Sequence, residues 1–248
     1  MILLIASFTS AIKYDMVSAG TDLSNDGIVE FSLKIGYTEY LEEFSNIPVP
    51  RNEIAVPFFD DYTIEGMISE VVKDFEGTGE KVITTEDAGS ISVGLNIPES
   101  GLYRIRVTYY PLKGSGSAIV RKIMVDNEIP FAEAETIEFA RIWVDDSDYS
   151  TDKLGNDNMP MQIESPRFET VMVSDHTGSS EEPLQFYFSK GEHTITLESV
   201  REPMAISAIE LVPMSKLESY KTVTAEYQEK GYELSGSFEF PQNAMSKA

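Results

Sequence analysis

The 248-residue sequence predicts an all-β protein, an antiparallel β-sandwich of jelly-roll type with short flanking helices. Apolar and polar residues alternate over 91–97, 102–110 and 193–197, which is the period of a strand with one buried face. Short turn-forming stretches such as 98–101 connect these strands and leave no room for the helical crossovers that a parallel sheet needs. Seven or eight strands connected in this way predict a sandwich.

The individual strands follow from the same alternation. In 91–97 and 102–110 the odd-numbered residues are apolar and are expected to face the core. A turn at 189–191, between 184–188 and 193–197, has the signature of a β-hairpin. The region 145–182, rich in Asp, Asn, Ser and Pro, is expected to be a long polar loop. The remaining predicted strands are 118–125, 136–144 and 205–212.

A short amphipathic helix is predicted just before the sandwich. Tyr37, Tyr40, Leu41 and Phe44 recur at helical spacing, with glutamates on the opposite face. The predicted segments are a leader or poorly patterned stretch at 1–35, the helix and linker at 36–50, the sandwich at 51–213, and a helical and irregular tail at 214–248. Residues 1–8 are apolar and resemble either the end of a signal peptide's apolar segment or a buried first strand, and both interpretations stay open.

The composition excludes several classes of partner and site. Forty-two acidic and nineteen basic residues give a net charge of −23, which repels nucleic acid and anionic lipid. No apolar run approaches the roughly 20 residues of a membrane span, so no membrane insertion is expected. The absence of cysteine excludes disulfides, cysteine-ligated metals and a thiol nucleophile.

The sequence carries no recognisable catalytic motif. There is no nucleophile elbow, phosphate-binding loop, dinucleotide fingerprint or HExxH zinc motif. His193 alternates in register with Ile195 and Leu197, which is typical of a packed or surface strand histidine. A glycosidase pair cannot be located among so many carboxylates. We therefore expect the chain not to be an enzyme.

Aromatic residues near polar loops suggest a sugar-binding site. A sugar ring offers an apolar C–H face that packs on an aromatic side chain, and Trp143, Tyr109 and Tyr110 are the candidate platforms. A core position for Trp143 is an equally good interpretation, and one of two adjacent strand tyrosines must face inward. The candidate hydrogen-bonding residues are Asp145, Asn156, Asp157 and Asn158.

Acidic clusters raise the possibility of calcium. Ca²⁺ prefers carboxylate and amide oxygens, which are frequent both in 145–158 and at Asp60 and Asp61. The spacing in 145–158 does not match an EF-hand loop, and solvated loop acids are the favoured interpretation of both clusters. Asp60 and Asp61 remain the candidate metal ligands.

Several stretches resemble galactose-binding-like and carbohydrate-binding modules, in particular the N-terminal module of bacterial extracellular solute-binding proteins of carbohydrate ABC transporters. The resemblance spans about residues 35–235. It is carried by ESGLYRIRVTYY at 99–110, IMVDN at 123–127, FARIWV at 139–144, GNDNMP at 155–160, PLQFYFSKGEHTI at 183–195 and REPM at 201–204.

The resemblance implies a jelly roll, an extracellular or cell-surface location and a role in sugar handling. Modules of this fold often hold a structural Ca²⁺ with a glutamate on the first strand and an aspartate on the last. Asp60 or Asp61 could replace the first ligand, but Ser207 stands where the second is expected. The predicted function is a non-catalytic carbohydrate-binding module that takes an oligosaccharide or polysaccharide. The alternative is a structural module that binds further domains of a longer chain and no sugar.

Overall fold

The computed structural model describes residues 34–214. The predicted tail, apart from residue 214, and the predicted leader, apart from residues 34 and 35, lie outside the described residues. The helix is α1, Tyr37–Glu43, and two short 3₁₀ helices span Phe75–Gly77 and Ala132–Glu135. The strands are β1 Ile54–Ala55, β2 Tyr62–Glu65, β3 Val71–Val72, β4 Val82–Thr85, β5 Gly89–Ile97, β6 Gly101–Pro111, β7 Ile119–Val125, β8 Ile137–Phe139, β9 Trp143–Asp145, β10 Ser150–Thr151, β11 Asp157–Asn158, β12 Gln162–Glu164, β13 Glu169–Met172, β14 Gln185–Phe188, β15 Gly191–Arg201 and β16 Met204–Pro213.

Two antiparallel sheets form the sandwich. The first runs β13–β6–β16–β4–β3, with β14 also paired to β6 and β1 to β16. The second runs β2–β5–β15–β7–β8. The chain crosses from one sheet to the other between β4 and β5, β5 and β6, and β6 and β7, and again on each side of β15. This alternation is jelly-roll connectivity, and the predicted fold class is confirmed.

The core lies between the central strands β5 and β6. Ile91, Val93 and Ile97 of β5 are fully buried, as are Ile105 and Val107 of β6. The even-numbered neighbours on β6 are half-buried on the outer face of the seven-stranded sheet. The period-2 prediction is therefore confirmed for both strands, because each has one face in the core and one toward solvent.

The predicted hairpin around 189–191 is wrong in its pairing. β14 lies in the seven-stranded sheet, where Phe186 pairs with Tyr103, whereas β15 lies in the other sheet, where Ile195 pairs with Val93. The turn carries the chain across the sandwich instead of joining neighbouring strands. The alternation of residues shows which face of a strand is buried but does not show its partner, so a crossing turn and a hairpin turn give the same pattern.

The segments 136–144 and 145–182 also differ from prediction. The expected single strand is split into β8 and β9, because Arg141 turns inward between them and is almost fully buried. The expected polar loop contains β10 to β13. β10 and β11 are exposed on both faces and consist of polar residues only, so no alternation marks them as strands.

Helix α1 covers the free edge of β14. The Tyr37 hydroxyl accepts a hydrogen bond of 2.9 Å from the backbone N–H of Gln185, and the Tyr40 hydroxyl accepts one of 2.7 Å from that of Tyr187. Both tyrosines are buried, and burial raises the pKa of each phenol. The two hydroxyls satisfy donors that would otherwise offer an open edge to another strand.

We expect Tyr37→Phe and Tyr40→Phe each to lower the free energy of unfolding by about 1–2 kcal/mol, because each leaves a covered backbone N–H without an acceptor. Urea denaturation measures the loss. Tyr149→Phe removes a hydroxyl from a side chain that is 68% exposed and serves as the matched control, with no expected change. If Tyr37→Phe and Tyr40→Phe had the same free energy of unfolding as the control Tyr149→Phe, the two hydroxyls would not be needed at this edge.

Candidate functional site

Residues 143–164 form a two-stranded ribbon, here called the ribbon. β9 pairs with β12, Trp143 opposite Glu164, and the ladder continues from the Asp146 N–H to the Met161 carbonyl at 2.9 Å. β10 then pairs with β11, shifted by one residue, so residues 147–149 form a bulge. Asp152 closes the tip turn by accepting hydrogen bonds from the N–H groups of Leu154 and Asn156.

The two faces of the ribbon differ in chemistry. Directly opposed residues share a face, so Trp143 lies with Glu164, and Asp145 lies with Gln162 one step further along. We call this the Trp143 face. The Gln162 amide donates to the Asp145 carboxylate there. The opposite face carries apolar side chains, beginning with the pair Val144 and Ile163.

Trp143 is 45% exposed, so its indole is neither core nor free in solvent. One edge of the ring rests on the loop between β6 and β7: a Cβ at Gly116 would lie 3.5 Å from Trp143 Cη2. Gly116 has φ +87°, a conformation that favours glycine. The loop therefore contacts the indole on one side, and just under half of the residue's surface stays accessible.

A buried guanidinium fixes this support. Arg141 donates to the carbonyls of Ser117 (2.8 Å) and Leu112 (2.9 Å), the two ends of the loop under Trp143. It also forms ion pairs with Glu164 of the ribbon and with Glu202, at 2.7 Å, in the turn between β15 and β16. One side chain thus ties together the loop, the base of the ribbon and a turn of the sandwich.

Glu202 completes the network from the other side. Its carboxylate is buried and accepts hydrogen bonds from the hydroxyl and the N–H of Ser115, and these contacts together with Arg141 lower its pKa. Its φ of +66° is unusual for a residue other than glycine and indicates local strain. An open groove of about 270 Å³ lies beside it, lined in part by Ser115, Asp87 and Arg201.

Tyr109 is not available as a platform, which corrects that prediction. Its ring is fully buried and packs edge-on against Phe139, and its hydroxyl donates to the Ala140 carbonyl at 2.8 Å. Burial raises its pKa to about 12. It is the inward-facing member of the adjacent tyrosine pair. Tyr110 faces outward, half-buried between Phe75 and Phe168 on the outer surface of the seven-stranded sheet.

The polar residues predicted to surround Trp143 are only partly brought to it. Asp145 lies on the Trp143 face, but Asn158 is six positions before Glu164, which is about 20 Å along an extended strand. Asp157, next to Asn158, points to the opposite face. The Asn156 amide donates to Asp152 at the tip. The tip residues therefore belong to a different part of the ribbon.

The residues that the sequence did not single out are those that hold Trp143. Arg141 and Glu202 lie within the stretches FARIWV and REPM that carry the resemblance, but neither residue was given a role, and Glu164 lies in no such stretch. The available signal was the pair of glycines at 114 and 116, which indicated a turn but not its contacts. Gly114 leaves room for the Glu202 carboxylate, because a Cβ there would lie 1.9 Å from Glu202 Oε2.

The predicted metal ligands Asp60 and Asp61 are both exposed and lie in a turn where their N–H groups donate to the Pro57 carbonyl. Within residues 34–214, no group of three or more Asp, Glu or His side chains is placed to hold a metal ion. Ser207 at the last strand approaches Glu80 at 3.5 Å. Calcium binding at Asp60 and Asp61 thus gains no further acidic ligand and stays a prediction.

His193 lies in an arrangement that resembles a catalytic triad. Its Nδ1 is 2.7 Å from Asp126 Oδ2, and its Nε2 is 3.0 Å from Ser189 Oγ. Both ring nitrogens face groups that only accept, the Asp126 carboxylate at Nδ1 and the Ser189 carbonyl at 2.8 Å from Nε2, so the hydroxyl is not the sole partner of Nε2. The following N–H, of Lys190, donates to Ser100. The geometry favours a structural role, in which these hydrogen bonds hold the turn at 189–191 that crosses between the two sheets.

Comparisons with known proteins find similar folds at low identity. A GH26-CBM35 β-(1,4)-mannanase from Podospora anserina matches at 13% identity and a TM-score of 0.40, over 68% of this chain and 29% of that chain. A family 35 carbohydrate-binding module from Clostridium thermocellum matches at 15% identity and a TM-score of 0.36, over 65% of this chain and 98% of that chain. The C-terminal CBM6 of a laminarinase from Zobellia galactanivorans matches at 14% identity and a TM-score of 0.35, over 65% of this chain and 99% of that chain.

No protein-family model matches the sequence, and no curated protein matches it. Among residues 34–214, no helix has the length and apolar character to cross a membrane.

Proposed function

We propose that this chain is a non-catalytic carbohydrate-binding module that binds an oligosaccharide or polysaccharide on the Trp143 face. The observation that carries the proposal is the position of Trp143, a half-exposed indole supported by a loop that a buried charged network holds in place. An aromatic ring with polar groups at its sides matches the two surfaces of a sugar, its C–H face and its hydroxyl edge.

Each residue near the indole has a distinct role in this proposal. Trp143 is the stacking platform. Asp145 and Gln162 already bond to each other, which fixes both side chains and directs their remaining acceptors and donor toward sugar hydroxyls. Glu164 and Arg141 position the ribbon and do not themselves contact the sugar. The groove lined in part by Ser115 belongs to the same loop as Gly116, which contacts the indole, and in this proposal it takes a further sugar unit.

The proposed role requires no chemical step. The arrangement at His193 that resembles a triad has its Nε2 directed at a carbonyl, and it belongs to a different turn from the loop under Trp143. We expect the purified chain to release no reducing sugar from any polysaccharide that it binds. A time-dependent rise in reducing ends, retained after Trp143→Ala and lost in His193→Ala, would contradict this.

We also propose that the chain acts outside the cell, as part of a sugar-handling protein of the kind that serves carbohydrate ABC transporters. The resemblance of 183–195 and 201–204 to modules of such proteins supports this context. Immunoblots of cytoplasmic and surface-exposed fractions, with and without external protease, test the location. Detection only in the cytoplasmic fraction would contradict it and would leave the sugar-binding proposal standing.

We expect Trp143→Ala to weaken glycan binding at least about 10-fold, since an aromatic platform at the centre of a binding site contributes about 1.5–3 kcal/mol. A soluble-polysaccharide panel screened by affinity electrophoresis, followed by calorimetry on the best ligand, measures the loss. Tyr149→Ala is the matched control, because it removes a 68% exposed aromatic ring from the bulge of the same ribbon. Equal affinity of wild type and Trp143→Ala would overturn the assignment of the site.

A further inference from the structure

The exposed apolar side chains of the sandwich are concentrated in the ribbon. Eleven large apolar side chains are exposed among residues 34–214, and seven of them lie within 143–163. Scattered exposure is normal for a soluble protein, whereas concentration in one segment marks a surface that is covered by something. The seven are Trp143, Val144, Tyr149, Leu154, Met159, Met161 and Ile163.

Three of these residues form a stripe on the face opposite Trp143. Val144 and Ile163 are directly opposed, and Met161 follows on the next rung, opposite Asp146. We call these three residues the apolar stripe. Their exposure increases toward the tip, from 38% at Val144 to 72% at Met161. The stripe therefore does not fold back onto the sandwich.

A ribbon in this state has little to stabilise it. Between 143 and 163 every residue is exposed except Asp152 and Pro160, which are half-buried. Two-stranded hairpins without a packed face are marginal in water, and methionines adapt well to partner surfaces of varied shape. The stripe is thus built like one half of an interface.

The charge of the ribbon restricts the partner. Between 143 and 164 there are six carboxylates and one lysine, a net charge of −5. Asp146, which lies opposite Met161, shares the face of the stripe. A second copy of the chain would place another ribbon of net charge −5 against this one, so the two would repel each other. An anionic membrane would be repelled in the same way. A surface with an apolar groove and a rim of lysine or arginine complements both the stripe and its acidic border.

We propose that the apolar stripe is a docking surface for a protein partner, or a further domain, whose groove is apolar and rimmed by basic side chains. The stripe and the Trp143 face are opposite sides of one ribbon, so the partner and a glycan can bind at the same time. The ribbon then places the bound sugar at a fixed position relative to the partner.

The test uses two fluorescein-labelled ten-residue peptides, one alternating Lys with Leu and the other alternating Glu with Leu. We expect the Lys–Leu peptide to bind, with affinity that falls as salt rises, and the Glu–Leu peptide not to bind. The triple variant Val144→Thr, Met161→Gln, Ile163→Thr keeps the charge and should weaken Lys–Leu binding at least about 10-fold. The control, Ile68→Thr with Val200→Thr, removes exposed apolar groups outside the ribbon and should change it less than twofold.

Each other outcome overturns the proposal. If the triple variant bound the Lys–Leu peptide with the same affinity as wild type, the attraction would come from charge alone. A concentration-dependent dimer in light scattering, lost in the triple variant, would identify a second copy as the occupant. Binding to phosphatidylcholine vesicles that the triple variant loses would identify a lipid surface. Glycan affinity of the triple variant, measured in parallel, shows that its fold and the Trp143 face are intact and is independent of the docking result.

Discussion

Glu202→Gln should lower the free energy of unfolding by about 3 kcal/mol, the largest loss expected from a single change at the base of the ribbon. The substitution removes the charge that faces buried Arg141 at 2.7 Å and places an amide among donors that need an acceptor. Breaking a buried ion pair costs about 3–5 kcal/mol, because the remaining charge stays desolvated. Glu164 still faces Arg141, so the loss should fall at the lower end of this range. Urea denaturation at pH 7 measures it.

The pH dependence of stability gives a second signature of the same carboxylate. The pKa of Glu202 is lowered in the folded protein, so its contribution is present above the ordinary glutamate range and is lost as pH falls through the folded value. Wild type should therefore lose stability faster than Glu202→Gln below about pH 4.5. The difference between their unfolding midpoints should narrow as the pH falls.

A surface ion pair provides the control. Glu198 pairs with Lys122 at 2.8 Å, but both side chains are partly exposed. Glu198→Gln should cost less than about 1 kcal/mol, as exposed pairs do. If Glu198→Gln and Glu202→Gln were equally destabilising, the network around Arg141 would have no special role in stability.

The sandwich could be predicted from the sequence because its central strands are buried on one face only. Residues such as Ile91 and Ile105 repeat every second position, and this period reports the fold class directly. Strand partners could not be predicted in the same way. The turn at 189–191 shows this, because nothing in its residues records that β14 and β15 lie in different sheets.

The ribbon was harder to predict because it has no core. Its strands are exposed on both faces, so Asp145 and Asn158 appear in the sequence as loop residues. The proposed site was suggested by the single tryptophan of the chain, because its chemistry is evident from the residue type. What fixes Trp143 could not be predicted, since Arg141, Glu164 and Glu202 meet only through long-range contacts. A residue that could bind a ligand can be recognised by its type, but the residues that hold it in place are known only from the tertiary structure.

Gly114→Ala should destabilise the protein by about 2–3 kcal/mol and disturb the Trp143 face at the same time. A Cβ at this position would lie 1.9 Å from Glu202 Oε2 and 2.8 Å from Arg141 Nη2, so the ion pair or the loop must move. Overpacking in a closely packed region typically costs about 1–3 kcal/mol. The neighbouring Gly116 supports the indole, so movement of the loop alters the surroundings of Trp143.

Two readouts separate these effects. Urea denaturation gives the loss of stability, and the emission of Trp143, the single tryptophan of the chain, should shift to longer wavelength as its support loosens. Glycan affinity should fall in parallel with the shift, because stacking needs the indole in a fixed position. Gly36→Ala is the matched control, since a Cβ there has no atom within 4 Å and should leave Trp143 emission and affinity unchanged. A Gly114→Ala protein with wild-type emission and wild-type affinity would show that the platform does not depend on the Arg141–Glu202 network.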